Sequence, residues 1–268
     1  MVSFFQLDSA ITRPVTISAI VPARNEAPCI AAVVAGLSKL RRADGAPLLA
    51  EIVVVDNGSD DGTDVVAERA GARVVLAPEP GYGRACWEGV QQSGGDVLLF
   101  VDGDGAADPL DATALIAALA GGADLVIGVR VRPDLGAMSV TQRFGNGLAC
   151  LLMRLVWRMP VDDLGPYRAI SRSAFDALEL RDRKFGWTVE MQVRAHLLGL
   201  RVVQVPVRWH NRSAGHSKIS GTVAGVIGAG VGILGMIGKL YWREHRRPER
   251  ITRPGVSGPL PKTAANGS

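Results

Sequence analysis

Cysteine is scarce. The 268-residue chain has three, Cys29, Cys86 and Cys150, an odd number at wide spacing with no Cys-x-x-Cys pair. That argues against a disulfide framework and a structural zinc site, and it fits a reducing cytosol. Aromatic residues make up only 5%. Few of them interleave with the basic residues, so no nucleic-acid partner is expected. Neither sign of charge dominates: Lys and Arg number 30 against 26 Asp and Glu, a net charge of +4. The small excess is uneven. Beyond Lys239 come Arg243, Arg246, Arg247, Arg250 and Arg253 against Glu244 and Glu249, a pattern that suits an anionic membrane surface. Residues 1–11 lack a charged region followed by a long apolar core, so no signal peptide is expected.

What is present is a regular alternation. Strands are predicted at Val15–Val21, Glu51–Asp56, Arg73–Leu76, Asp96–Asp102 and Asp124–Val129. Helices are predicted between and after them at Ala27–Leu40, Gly62–Ala70, Gly83–Gln92 and Pro109–Ala120. Such alternation predicts an α/β fold with a mostly parallel sheet and helices on both faces. Ligands of such sheets bind beyond the carboxyl ends of the strands. The length suffices to bury one large domain with an appendage.

The second half changes character. Ser139–Met159 reads as a long apolar helix whose Arg143, Arg154 and Arg158 fall in one sector at 100° per residue. It is either the solvated face of an ordinary helix or a helix in a membrane interface. Leu164–Ile170 reads as a strand, Thr188–Leu198 as a helix and Arg201–Val207 as a strand. Gly221–Gly238 has no charged residue and reaches the length of a spanning helix, but seven of its residues are Gly. It reads as a buried helix or as one that lies on or enters a membrane, and membrane association is the expectation taken. The boundaries expected are an N-terminal arm (1–13), a main domain (14–220), an apolar and basic membrane-associating helix (221–247) and a disordered tail (248–268).

Four polar clusters follow four successive strands. The first is Val21-Pro22-Ala23-Arg24-Asn25-Glu26, where Asn25 or Glu26 can open the next helix, which plain capping would also explain. The second runs Asp56-Asn57-Gly58-Ser59-Asp60-Asp61-Gly62-Thr63, an acidic turn, or a carboxylate and small residues that accept hydrogen bonds from a base or ribose. The third is Pro80-Gly81-Tyr82-Gly83-Arg84, a glycine-rich helix entry whose N–H groups, with Arg84, can face phosphate. The fourth is Asp102-Gly103-Asp104. Side chains alternate along a strand, so carboxylates at i and i+2 share a direction. They repel unless a cation lies between them, and a divalent metal carrying a diphosphate is the natural candidate.

Together these clusters ("VPARNE", "VVVDNGSDDGT", "GYGRA", "FVDGDGAADP") resemble the family-2 glycosyltransferases, which have the GT-A fold. The likeness runs from about Pro14 to Trp242. It implies a nucleotide-sugar pocket lined by Pro22 and Glu26, a nucleobase contact at Asp56, and Mg²⁺ or Mn²⁺ held by Asp102 and Asp104. The residue between those aspartates is often Ala in the family and is Gly103 here. "DDLGPYRAISRSAF", "WTVEMQVRA" and "VPVRWHNRSAGHSKI" are similar to the dolichyl- and polyprenyl-phosphate hexose synthases. That likeness implies an acceptor site near Asp162 or Asp163, Tyr167 and Arg168, and an acceptor-phosphate grip from Arg212, Gly215, Ser217 and Lys218. Arg forks two phosphate oxygens, Lys adds a point charge and Ser a donor; a basic surface loop is the plainer reading of that segment. "DLGPYR" stands where the mannosyl enzymes have a Thr-Gly-Ser-Phe-Arg type of signature, so donor and acceptor both stay open.

The function expected is metal-dependent, inverting transfer of a hexose from a UDP- or GDP-sugar to a polyprenyl phosphate at the cytoplasmic face of a membrane. A phosphate acceptor is already anionic and needs no strong base, whereas a hydroxyl acceptor would need Asp162, Asp163 or Glu190. The rival readings are transfer to a soluble or lipid hydroxyl, nucleotide-sugar binding without turnover, and a nucleotidyltransferase, for which the first strand lacks a Gly-rich Arg/Lys motif.

Overall fold

A computed structural model describes residues 14–77, 79–131, 137–211 and 223–245, with side chains of the last segment described at 232–243. The strands in chain order are β1 (Ile17–Ala23), β2 (Glu51–Asp56), β3 (Arg73–Leu76), β4 (Val97–Phe100), β5 (Leu125–Arg130), β6 (Arg168–Ser171) and β7 (Val202–Val207). The helices are α1 (Ala27–Ser38), α2 (Thr63–Arg69), α3 (Tyr82–Gln92), α4 (Ala112–Ala120), α5 (Val140–Trp157), α6 (Arg172–Leu178), α7 (Trp187–Leu197) and α8 (Val223–His245).

β1 has no charged residue and is buried along its length, as a strand covered on both faces must be. It lies inside a seven-stranded sheet of order β3-β2-β1-β4-β6-β5-β7. All pairings are parallel except those of β6, which runs antiparallel to β4 and to β5. The mostly parallel α/β sheet expected from the alternation is therefore present. Its one antiparallel strand comes from the second half of the chain.

The alternation along each strand feeds two cores. Ala19, Val21, Val54 and Leu99 face one way, onto Ile30, Val34 and Leu37 of α1 and Leu115 of α4. Ile20, Val55, Leu98 and Phe100 face the other way, onto Cys86 and Val90 of α3, Phe175 of α6 and Trp187 of α7. Gly89 lets α3 approach β1 closely: a Cβ there would lie 2.4 Å from Ile20 Cγ2.

A third core joins Cys150 and Met153 of α5, Val189 and Val193 of α7, and Met236, Ile237 and Leu240 of α8. The second half of α8 is thus packed against the domain. Among the described residues no helix is long and apolar enough to cross a membrane. The physical reason is the glycine content, which dilutes the hydropathy of the uncharged stretch.

α5 is bounded by a capping box, Ser139 accepting from Gln142 N while the Gln142 side chain accepts from Ser139 N. It ends before Arg158, which takes a left-handed conformation at φ 55° and so leaves the helical sector of Arg143 and Arg154. The strand predicted over Leu164–Ile170 shrinks to β6, because the carbonyls of Leu164 and Gly165 accept from the buried Arg168 guanidinium. α6 was not predicted; its signal is Ser171, whose hydroxyl accepts from Ala174 N at 3.2 Å. Arg212, Ser217 and Lys218, Gly215, the arm at 1–13 and the tail at 248–268 lie outside the described residues.

Candidate active site

β1, β2 and β4 run parallel, so their carboxyl ends open on one edge of the sheet. The loops beyond β1 and β2 are laced together. Asn25 N donates to Ser59 Oγ at 2.8 Å, Glu26 N to Thr63 Oγ1 at 2.8 Å and Ala27 N to Asp61 Oδ2 at 3.1 Å. The orphan N–H groups at the start of α1 are thus met by the second loop, and Glu26 makes no side-chain cap. Plain capping does not explain Glu26; it lines a cavity instead.

That cavity, about 260 Å³, gathers Pro22 at the end of β1, Arg24 and Glu26 after it, Asn57 after β2, Gly81 and Tyr82 at the start of α3, Asp102, Gly103 and Asp104 after β4, and Phe185. Three of the four clusters predicted from sequence supply most of its wall. Asp56 is beside it rather than in it. It is 6% exposed and accepts from Ser59 N at 3.3 Å and from the Ser59 hydroxyl. Gly58, at φ 77°, forms the turn between them. Asn57, quoted in the second cluster without a role of its own, is the central tie. Its Nδ2 donates to Ala77 O and Glu79 O at 3.0 and 2.8 Å, and its Oδ1 accepts from Gly81 N at 2.7 Å.

Asp102 and Asp104 lie past the end of β4, on a turn continued by Gly105 at φ 73°. The strand-alternation argument for their shared direction therefore does not apply, although both line the cavity. Asp102 Oδ1 accepts from the Tyr82 hydroxyl at 3.1 Å, and Asp104 Oδ1 accepts from Ala106 N at 3.0 Å. Burial, and after it the Asp102 carboxylate, push the Tyr82 phenol well above its ordinary value, so it is a donor here. Gly103 fits closely: a Cβ would come 3.2 Å from Ala23 Cβ and Ile30 Cδ1. Two carboxylates on one cavity wall suit a hard divalent cation. Among the described residues no group of three His, Cys, Asp or Glu side chains is gathered as a metal site, so diphosphate and water would complete the coordination.

Gly83 and Arg84 do not face the cavity. Gly83 N and Arg84 N donate to Lys184 O and Arg183 O at 3.2 and 2.9 Å. The Arg84 guanidinium pairs with Glu79 and, at 3.5 Å, with Glu88. These donors are met within the protein.

A second cavity, about 410 Å³, adjoins the first. Its wall is mostly apolar: Phe144 and Leu148 of α5, Leu164 and Pro166, and Ile233 and Leu234 of α8. Arg130, at the end of β5, is the single cation among its lining residues. Its guanidinium lies 5.4 Å from the Trp209 ring centre.

None of the side chains predicted as a base lines either cavity. Asp163, 3% exposed, accepts from Arg130 N, Nε and NH2 at 2.9, 2.8 and 2.5 Å. Asp162 pairs with Arg154 at 2.6 Å and accepts from Gln204 at 3.2 Å. Glu190, 2% exposed, accepts from Arg181 N and Asp182 N at 2.9 and 2.7 Å. Arg168 is fully buried and donates to the carbonyls of Gly165, Thr188 and Leu164. Burial lowers its guanidinium to about 10, still protonated at neutral pH. All four hold loops in place, with Asp163 on Arg130 and Glu190 on the backbone of Arg181 and Asp182. Sequence reasoning missed Arg130 and Phe185, and quoted Tyr82 without assigning it.

Beyond β7 the chain returns to the aspartate loop. Ala107 bridges Trp209, and His210 N donates to Ala106 O at 2.8 Å. Arg208 pairs with Asp108 and Asp111 at 2.9 and 2.8 Å.

Comparison with known proteins agrees with this architecture. The model of glycosyl transferase family 2 matches residues 18–178. An uncharacterized glycosyltransferase of Mycobacterium tuberculosis is 38% identical over 212 residues, 79% of this chain and 93% of that protein. An undecaprenyl-phosphate mannosyltransferase of Micrococcus luteus is 31% identical over 222 residues, 77% of this chain and 88% of its own length. Among solved structures, glucosyl-3-phosphoglycerate synthase of M. tuberculosis, in complex with Mn²⁺, UDP-glucose and phosphoglyceric acid, superposes with a TM-score of 0.65 at 26% identity. It covers 84% of this chain and 80% of that one. The chain is a glycosyltransferase and belongs to glycosyl transferase family 2.

Proposed function

We propose that this enzyme moves a hexose from a UDP- or GDP-sugar to a polyprenyl phosphate, working at the cytoplasmic face of a membrane. The observation that carries the reading is the apolar 410 Å³ cavity, which shares Asp102 with the smaller cavity. A nucleotide sugar in the smaller cavity would present its anomeric carbon toward an acceptor whose body is apolar. Mg²⁺ or Mn²⁺ held by Asp102 and Asp104 would neutralise charge on the departing diphosphate.

The chain's own residues supply the rest. Arg130 lines the apolar cavity with its guanidinium forked onto Asp163, so the acceptor phosphate would draw its cations from the basic segment that follows β7. His210 N donates to Ala106 O on the aspartate loop, and Arg212, Ser217 and Lys218 follow it in sequence. The acceptor oxygen attacks the anomeric carbon as the bond to the diphosphate breaks, and the nucleoside diphosphate leaves with the bonding pair. A phosphate oxygen is already anionic, so the step needs no base. The engagement of Asp163 and Glu190 elsewhere favours that acceptor over a hydroxyl.

The outer face of α5 supports the membrane. Val140, Phe144, Leu151 and Leu155 recur at helical spacing and are 84, 69, 49 and 68% exposed. Arg143 and Arg154 flank that stripe, and Phe144 also lines the cavity. A lipid acceptor would pass from such an interface into the cavity without crossing water. A second reading, transfer to 3-phosphoglycerate, is favoured by the solved structure with phosphoglyceric acid.

The test places charge in the cavity wall. The parent enzyme is expected to form lipid-linked hexose from undecaprenyl phosphate, and Leu148→Asp to lose that transfer while keeping its nucleotide affinity. Equal transfer by the variant would overturn the acceptor assignment.

A further inference from the structure

We propose that Phe185, together with Tyr82, closes the junction between the two cavities around the transferred sugar, and that Phe185 sets the ratio of glycosyl transfer to hydrolysis. The proposal rests on the two-cavity reading above but not on which acceptor is used.

Among the described residues, three side chains line both cavities: Tyr82, Asp102 and Phe185. In any glycosyl transfer the anomeric carbon must lie where donor meets acceptor. These three residues therefore surround it, and two of them are aromatic. Water competes for the same carbon. In hydrolysis a water oxygen bonds to the anomeric carbon, its proton goes to solvent, and the nucleoside diphosphate leaves with the bonding pair. Transfer and hydrolysis break the same donor bond, so selectivity depends on which oxygen occupies the junction. An aromatic ring excludes water there and offers an apolar surface to the C–H face of a pyranose.

The loop that presents Phe185 is held on every side. The buried Glu190 carboxylate accepts from Arg181 N and Asp182 N at 2.9 and 2.7 Å. Lys184 N donates to Asp182 Oδ1 at 2.8 Å. The carbonyls of Arg183 and Lys184 accept from the start of α3, and the Arg183 guanidinium lies 4.0 Å from the Trp87 ring centre. Gly81, at φ 153°, permits the approach, since a Cβ there would fall 2.2 Å from Arg183 O. Next along the chain, a Cβ at Gly186 would meet Met236 at 2.9 Å, and one at Gly232 would touch Phe185 Cβ at 3.7 Å. Tyr82 meets the same frame: its ring packs edge-on against Trp187 at 6.1 Å between centres, and its hydroxyl donates to Asp102. The backbone of 181–186 is spent on α3, α7 and α8, and the Phe185 ring is what it delivers to the junction. Glu190 is accordingly a positioning residue, acting through this loop.

The experiment uses the full chain with Mn²⁺, UDP-glucose and GDP-mannose as donor probes, and undecaprenyl phosphate or 3-phosphoglycerate as acceptor. Nucleoside diphosphate released is compared with hexose transferred. Phe185→Ala is expected to raise that ratio about tenfold while UDP or GDP affinity by calorimetry stays within about twofold. Phe185→Tyr is expected to restore coupling, and Glu190→Gln to uncouple in the same direction. If Phe185→Ala is too unstable to purify, Phe185→Val, which shortens the side chain and opens the junction, gives the comparison with a smaller expected rise. Transfer and hydrolysis falling in equal proportion, or a parallel loss of nucleotide affinity, would overturn the proposal. A parent enzyme that transfers only to 3-phosphoglycerate defeats the lipid reading alone, and the ratio is then read with that acceptor. A parent that binds none of the donor probes overturns both.

Discussion

Asp163 closes a fork on Arg130: one carboxylate takes the Arg130 backbone N–H and two guanidinium donors, at 2.9, 2.8 and 2.5 Å. The pair ties the end of β5 to the loop before β6, and Asn146 of α5 joins it by accepting from Leu164 N at 3.0 Å. Removing one partner of a buried pair leaves the other charge stranded. Asp163→Asn is therefore expected to lower unfolding free energy by about 3–5 kcal/mol, read by denaturant titration. Asp162, whose side chain is 61% exposed, is expected to tolerate Asp162→Asn within about 0.5 kcal/mol. The reverse order would contradict the structural role of Asp163.

Asp104 separates fold from chemistry. Its Oδ1 accepts from Ala106 N at 3.0 Å, and an amide oxygen at that point can accept the same bond. Asp104→Asn is expected to keep its melting temperature and lose at least about 100-fold in metal-dependent turnover, equivalent to several kcal/mol of charge stabilisation. Chelation of the parent followed by Mn²⁺ addition gives the matching loss and recovery. Undiminished turnover by the variant in chelator-treated buffer would remove Asp104 from the metal site.

The Tyr82 hydroxyl orients Asp102 from 3.1 Å. Tyr82→Phe keeps the ring at the junction and deletes one hydrogen bond, worth about 1 kcal/mol. The expected outcome is a roughly fivefold weaker Mn²⁺ requirement curve, with the transfer-to-hydrolysis ratio unchanged. Metal titration of nucleotide binding measures the first quantity.

The donor half of the site was legible because each of its clusters is contiguous in the chain. Pro22, Arg24 and Glu26 follow one strand, and Asp102, Gly103 and Asp104 follow another; both sets line one cavity. The strand-alternation reason for Asp102 and Asp104 does not hold, since both sit on a turn beyond β4. Arg84 misled because its partners, Glu79 and the carbonyl of Arg183, depend on loop paths that no local pattern encodes. The acceptor half was hidden for a related reason. Tyr82, Arg130, Phe185 and Leu234 come from four distant segments and meet only through the antiparallel insertion of β6 and the packing of α8 on α5 and α7. The long apolar helix at 140–157 was legible from periodicity, but periodicity did not tell its buried face from its exposed one.

Acid sensitivity follows from two carboxyls. Burial alone would raise Asp61, but bonds from Thr63 and Ala27 outweigh it and lower it from 3.8. Burial likewise opposes, and bonds from Ser18, Arg73 and Gly94 outweigh, at Glu51, lowered from 4.5. Both carboxyls bind protons less readily folded than unfolded. Their stabilisation is complete above those ordinary values and is lost as pH falls through the lower folded ones. The melting temperature is expected to drop below pH 4.5, and Glu51→Gln to flatten part of that drop. A melting temperature flat from neutrality to pH 3 would count against both assignments.

The most direct test of the account offers both acceptors to one enzyme. The full chain is incubated with Mn²⁺, UDP-glucose and GDP-mannose, together with undecaprenyl phosphate in detergent micelles and 3-phosphoglycerate in solution. Products are separated and weighed by mass spectrometry. A hexose linked to the lipid phosphate, with one nucleoside diphosphate released for each, is the predicted result. Hexosyl phosphoglycerate as the sole product would contradict it and make the apolar cavity something other than the acceptor site.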